Sequence, residues 1–121
     1  PEYSTMIDSS KNMVLGLVSE TCKHCKSGNT IMAAFFEQNG LDSSRFKNLV
    51  MSRDSATLDT FKIETKTQKF EYRTMNPSFL ISLNNGYFPT YLYIEKGKVV
   101  KALNYKQLDE KELVRFLGDA Q

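Results

Sequence analysis

A chain of 121 residues, 40% hydrophobic and 25% charged, suits one globular domain with a buried core and excludes a disordered tail. Its net charge of +2 gives no footing for nucleic-acid binding, and no apolar run approaches the roughly 20 residues that span a bilayer. Two cysteines are too few for a disulfide framework.

Residues 1–11 are polar and read as a flexible lead-in, with a single domain over 12–121. The start at Pro1 leaves a removed signal peptide or membrane anchor open. Met13–Val18 is a continuous apolar run of strand length, as expected of a central strand covered on both faces. The stretch SETCKHCK follows, holding both cysteines and the sole histidine. Beyond it, Ile31/Phe35 and Met32/Phe36 repeat at helical spacing, and Asn39-Gly40 supplies a helix stop.

The middle of the chain is less periodic. Phe46–Met51 reads as a second strand, Ser55–Lys62 as a short helix, and Phe70–Tyr72 as an edge strand. Asn76-Pro77 pairs a cap with a proline at the first helical position, opening a turn through Leu83. Tyr91–Ile94, the Lys96-Gly97 turn and Val99–Leu103 form a β-hairpin. Asp109 caps a last helix, with Glu112 in the capping-box position and Leu113, Phe116 and Leu117 on one face. The predicted order is β–α–β–(irregular, partly α)–β–β–α, an α/β fold with a central mixed sheet flanked by helices.

The cysteines carry the chemistry. Cys22 falls where a strand hands over to a helix, so unpaired N–H groups and the helix dipole favour its thiolate, the species that attacks disulfides. Cys25 lies nearly one turn on and can resolve the mixed disulfide. Lys23, His24 and Lys26 put potential positive charge around the thiolate and so tune it, with Glu20 opposing. Zinc needs further ligands, and His24 between the cysteines has poor geometry for a shared ion; no metal is expected. An inert structural pair remains as an alternative, whereas a clip closing so short a loop gains little.

With these residues in view, the chain resembles the thioredoxin superfamily. The resemblance rests on MVLGLVSETCKHCK and on YFPTYLYIEKGKVVKALNYKQLDEKELVRFL, a little under half the chain. It implies a thiol-disulfide oxidoreductase in which Cys22 and Cys25 are catalytic. It also implies a cis Phe88–Pro89 bond facing them, with Phe88, Pro89 and Thr90 holding the backbone of an extended substrate. A histidine before the second cysteine is similar to oxidising members such as DsbA. Reducing members often bury a carboxylate in the first strand, and Met13–Val18 has none.

The long stretch from Cys25 to Pro89 looks like the insertion of extracytoplasmic TlpA/ResA-type members, here about residues 54–85. Phe70, Tyr72, Phe79 and Tyr87 are expected mostly in the core, with a partner-docking surface as the alternative. The resemblance further implies protein thiols and disulfides as partners, a monomer, and no cofactor beyond the Cys22–Cys25 disulfide. A periplasmic or cell-surface setting follows, with a membrane anchor and a membrane-bound redox partner as options and the cytoplasm left open. The rival reading is a thioredoxin-fold docking domain of a membrane-anchored protein with little redox activity.

Overall fold

A computed structural model describes residues 5–118. Strand β1 (Met13–Ser19) is buried along its whole length and occupies the centre of a five-stranded sheet. Helix α1 (Lys23–Gln38), strand β2 (Phe46–Met51), helix α2 (Ser55–Thr65), strand β3 (Glu71–Thr74) and helix α3 (Pro77–Asn84) follow. Strands β4 (Thr90–Glu95) and β5 (Lys98–Leu103) form the hairpin, and helix α4 (Glu110–Gly118) closes the domain. The sheet order is β3-β2-β1-β4-β5; β2 runs parallel to β1 and β3, and β4 antiparallel to β1 and β5. This is the mixed sheet with flanking helices expected from the sequence.

Burial on both faces explains why β1 is an unbroken apolar run rather than an alternating one. On one face, Val14 joins Met32 and Phe36 of α1, Phe46, Tyr91 and Tyr93 of the sheet, and Leu113 and Leu117 of α4. Phe36, Phe46 and Phe70 meet edge to face or tilted, with centroids 5.1–5.8 Å apart. Each fully buried ring of this kind contributes about 1.5–3 kcal/mol through lost water contact. On the other face, Leu15 and Leu17 pack with Leu49, Leu92, Ile94 and Leu80 of α3. Met6, within the polar lead-in, is fully buried in that same cluster. A third cluster of Val18, Cys25, Val50 and Phe61 lies at the C-terminal end of β1, where α1 begins.

The helix boundaries follow capping chemistry. Asp54 accepts from the Thr57 N–H at 2.7 Å, and α2 runs to Thr65, three residues past its expected end, closing on Lys66 in the left-handed region. Asn76 caps α3 with Pro77 at its first turn. Asp109 receives the Glu112 N–H at 2.8 Å, but the capping box expected there is not closed: the Glu112 carboxylate pairs with Lys101 at 2.6 Å. The reciprocal box forms between Asn104 and Gln107 instead. Of the four aromatics, Phe70 is buried, Tyr72 and Phe79 are half-buried in core clusters, and Tyr87 is 75% exposed. Among the described residues, no helix is long and apolar enough to cross a membrane.

Candidate active site

The β1–α1 junction builds the site. β1 ends at Ser19, and the chain turns through Glu20-Thr21, with the Cys22 N–H donating to the Ser19 carbonyl at 3.1 Å. Cys22 is the N-cap of α1, in extended geometry, and its Sγ accepts the Cys25 N–H at 3.3 Å. A sulfur thus occupies the position usually filled by a serine or aspartate oxygen, against the positive end of a 16-residue helix.

Cys25 is its opposite in environment. It is fully buried while Cys22 is half-exposed, and both are free thiols. The Ser19 N–H donates to Cys25 Sγ at 3.4 Å. Burial pushes the Cys25 thiol far above its ordinary range, the hydrogen bond that the protonated thiol donates to Cys22 adds to this, and the Ser19 N–H opposes it. One thiol faces solvent on a helix terminus; the other is held protonated a turn inside. That asymmetry is what sequential attack and resolution require.

The loop before β4 supplies the facing wall. The Phe88–Pro89 peptide is cis, and the Cys22 thiol donates to the Phe88 carbonyl at 3.8 Å. Pro89 is buried, and Thr90, the first residue of β4, donates its hydroxyl to the Tyr87 carbonyl at 2.6 Å. Beside the proline opens a groove of about 330 Å³ lined by Leu83, Tyr87, Pro89, Thr90, Leu92 and Asn104.

The charged residues of the motif are arranged differently from one another. Lys23 and His24 are exposed, and the imidazole of His24 stacks on Tyr105 at 4.7 Å with an 11° interplanar angle. Lys26 pairs with Glu64 of α2 at 2.9 Å. Glu20 is 2% exposed and turns to the loop after β2, accepting from Ser52 Oγ at 2.9 Å and from the Arg53 N–H. It ties the approach to Cys22 onto the neighbouring strand end. Among the described residues no group of three or more His, Cys, Asp or Glu could hold a metal ion.

Sequence reasoning passed over a buried polar cluster beneath Cys25. Asn29, one turn further along α1, donates to Asn48 Oδ1 at 3.1 Å and to the Tyr72 hydroxyl at 2.8 Å, and accepts from the Tyr91 hydroxyl at 2.8 Å. Asparagines at 29 and 48, each on an otherwise apolar stripe, were the available signal.

No family model and no curated protein matches the sequence. Solved structures do match in fold. The thioredoxin domain of a thiol-disulfide oxidoreductase from Bacteroides vulgatus superposes with a TM-score of 0.69 at 14% identity, over 90% of this chain and 81% of that one. StoA from Bacillus subtilis gives 0.65 at 16% identity, over 90% and 84%. A secreted Mycobacterium tuberculosis disulfide oxidoreductase homologous to E. coli DsbE gives 0.64 at 12% identity, over 91% and 82%. The sheet order, the CxxC at the start of α1 and these superpositions together establish that the chain has the thioredoxin fold.

Proposed function

We propose that this domain is a thiol-disulfide oxidoreductase that exchanges disulfides with protein substrates through Cys22 and Cys25. The observation that carries the reading is the pairing of a half-exposed Cys22 sulfur on the helix N-cap with a buried Cys25 whose N–H it accepts at 3.3 Å. The solved relatives in fold that are thiol-disulfide oxidoreductases support the same reaction type.

In the reducing direction, the Cys22 thiolate attacks a substrate disulfide, and one substrate sulfur leaves as a thiolate. The helix N-terminus stabilises the attacking charge. Cys25 then loses its proton and attacks Cys22, breaking the mixed disulfide, forming Cys22–Cys25 and releasing the second substrate thiolate. The oxidising direction is the reverse. The Cys22–Cys25 disulfide carries the two electrons, so the reaction needs no metal or organic cofactor.

Phe88, Pro89 and Thr90 hold an extended substrate segment beside Cys22, and the adjoining groove receives its side chains. Lys23 provides positive charge over the site, beside His24. The domain acts as a monomer, outside the cytoplasm in a periplasmic or cell-surface setting, exchanging electrons with a membrane-bound redox partner in either direction. The secreted nature of the Mycobacterium tuberculosis relative in fold supports that setting. Insulin reduction by dithiothreitol, with wild type and Cys22→Ser compared, tests the activity. Wild type accelerates precipitation of the insulin chains and Cys22→Ser does not; equal rates refute the reading.

A further inference from the structure

The resolving thiol sits above a buried site that a carboxylate would fit and an amide occupies. Gly16 of β1 is paired with Asn48 of β2 on one side and with Tyr91 of β4 on the other. A Cβ at Gly16 would lie 2.5 Å from Asn48 Oδ1, so the missing side chain makes room for the asparagine. A Cβ at Gly28 would overlap the Tyr91 hydroxyl, so a second glycine makes room for the tyrosine. Alternation along the strands puts Gly16 and Val18 on one face of β1, and Asn48 and Val50 on the same face of β2. Cys25 packs against Val18 and Val50. Asn48 and Gly16 are therefore the next residue pair down the sheet from the thiol, and Asn29 is one turn from it on α1.

The hydrogen-bond directions in this cluster are fixed by elimination. The Thr65 hydroxyl donates to the Phe61 carbonyl at 2.8 Å, which spends its single proton. Thr67, 2.7 Å away, must then donate to Thr65, and Tyr72, 2.7 Å from Thr67, must donate to Thr67. Asn29 donates to Tyr72 and Asn48, and Tyr91 donates to Asn29. The run from Tyr91 to the Phe61 carbonyl is one-directional and uncharged throughout. Among the described residues its single loose end is Asn48 Nδ2, buried and without a partner.

We propose that Asn48 and Asn29 form a neutral positioning site under Cys25, so that resolution has no internal base and a substrate joined to Cys22 is held until solvent hydroxide takes the Cys25 proton. This rests on the reading of Cys22 and Cys25 as an exchanging pair. The step balances: the Cys25 proton passes to hydroxide, the Cys25–Cys22 bond forms, the Cys22–substrate bond breaks, and the electron pair leaves on the substrate thiolate.

The groups facing Cys25 are consistent with it. Cys22 caps α1, Tyr72 lies on β3 and Tyr91 on β4; the buried Glu20 carboxylate, just past β1, is taken up by Ser52 Oγ and the Arg53 N–H; α2 presents Phe61 and Leu58, with Lys62 over the Tyr72 ring at 5.1 Å. Burial raises both phenols, and proximity to Cys25 raises them further, so neither is a base near neutral pH.

Asn48→Asp tests this directly. The change is isosteric, keeps an acceptor for Asn29 and replaces the partnerless Nδ2 with an oxygen. It also puts a buried carboxylate, with its raised affinity for protons, beside the thiol as a general base. The reduced protein is mixed rapidly with an aromatic disulfide reagent, which marks accessible thiols whatever the physiological substrate. A first, reagent-dependent release of aromatic thiolate reports attack by Cys22, and a second, reagent-independent release reports resolution by Cys25.

In wild type the second phase quickens about tenfold per pH unit from pH 6 to 9, as a protonated thiol requires. In Asn48→Asp it is at least about tenfold faster at pH 7, with a flattened profile, while a merely structural role would shift the unfolding midpoint and leave the slope. A wild-type second phase flat across neutral pH overturns the inference even if Asn48→Asp does not fold. So does a folded Asn48→Asp with the wild-type profile. Absence of any second phase in wild type overturns the underlying reading of the pair instead.

Discussion

The thiol of Cys22 donates to the carbonyl oxygen of Phe88 at 3.8 Å, across 66 positions of sequence. This contact joins the two stretches that matter most. One delivers the sulfur on a helix N-cap; the other delivers an extended backbone at the start of β4. The intervening β2, α2, β3 and α3 are the means by which the chain returns to the same sheet end.

Exposure alone separates the two thiols. Under native conditions a small alkylating reagent is expected to modify Cys22 and spare Cys25, which is fully buried. Mass spectrometry of peptides after brief treatment checks this. Equal labelling of both residues in the folded protein contradicts the site as described.

Removing the resolving thiol should trap substrates. In Cys25→Ser the first attack proceeds and the second cannot, so a disulfide-bonded peptide accumulates as a Cys22 adduct. Turnover should fall by about a hundredfold or more, since escape then depends on external thiols. Non-reducing gels and peptide mapping read the adduct, and its absence contradicts the assignment of roles.

The buried state of Cys25 has a stability consequence with a definite sign. Folding raises its proton affinity, so its contribution is complete below the unfolded value of about 8.5 and is lost as pH rises toward the higher folded value. The slope approaches about 1.4 kcal/mol per pH unit within that window. Buried Tyr91 acts in the same direction from about pH 10. Urea midpoints should fall above about pH 8.5, and fall less in Cys25→Ala. Constant or rising midpoints over that range contradict the burial.

The tyrosine at 91 carries a buried donor whose loss is measurable. Tyr91→Phe removes the 2.8 Å bond to Asn29 Oδ1 and leaves that oxygen without its donor. A cost of about 1–3 kcal/mol is expected. Gly28→Ala should cost a similar amount, about 1–3 kcal/mol, by overpacking against the same hydroxyl. Chemical denaturation checks both, and values within the noise would show that the cluster is not closely packed.

Much of this fold is legible in the sequence because its strongest signals are local. Met13–Val18 is apolar at every position, and only a strand covered on both faces needs that. Lys96-Gly97 gives the hairpin, with both residues at positive φ. Asn76 announces a helix start by its side-chain acceptor. The end of α2 was less legible, because Ile63 is 61% exposed and breaks the periodicity while Thr65 is buried by its bonds to Phe61 and Thr67.

At the site, Cys22, Cys25 and Phe88–Thr90 were readable as motifs. The tertiary partners were not: His24 stacking on Tyr105 and Glu20 turning to Ser52 and Arg53 depend on where distant loops arrive. The capping box at Asp109 failed for a similar reason, since Lys101 on β5 competes for the Glu112 carboxylate.

The central claim is that Cys22 and Cys25 exchange electrons as a pair, and their equilibrium with a thiol redox buffer tests it most directly. Protein is equilibrated across a range of glutathione or dithiothreitol ratios, quenched, alkylated and weighed. The expected result is a single two-electron transition between the dithiol and the Cys22–Cys25 disulfide. Its midpoint should lie between about −270 mV, the thioredoxin end of the range, and about −120 mV, the oxidant end. A pair that stays reduced at every ratio, or forms only adducts with the buffer thiol, contradicts the account.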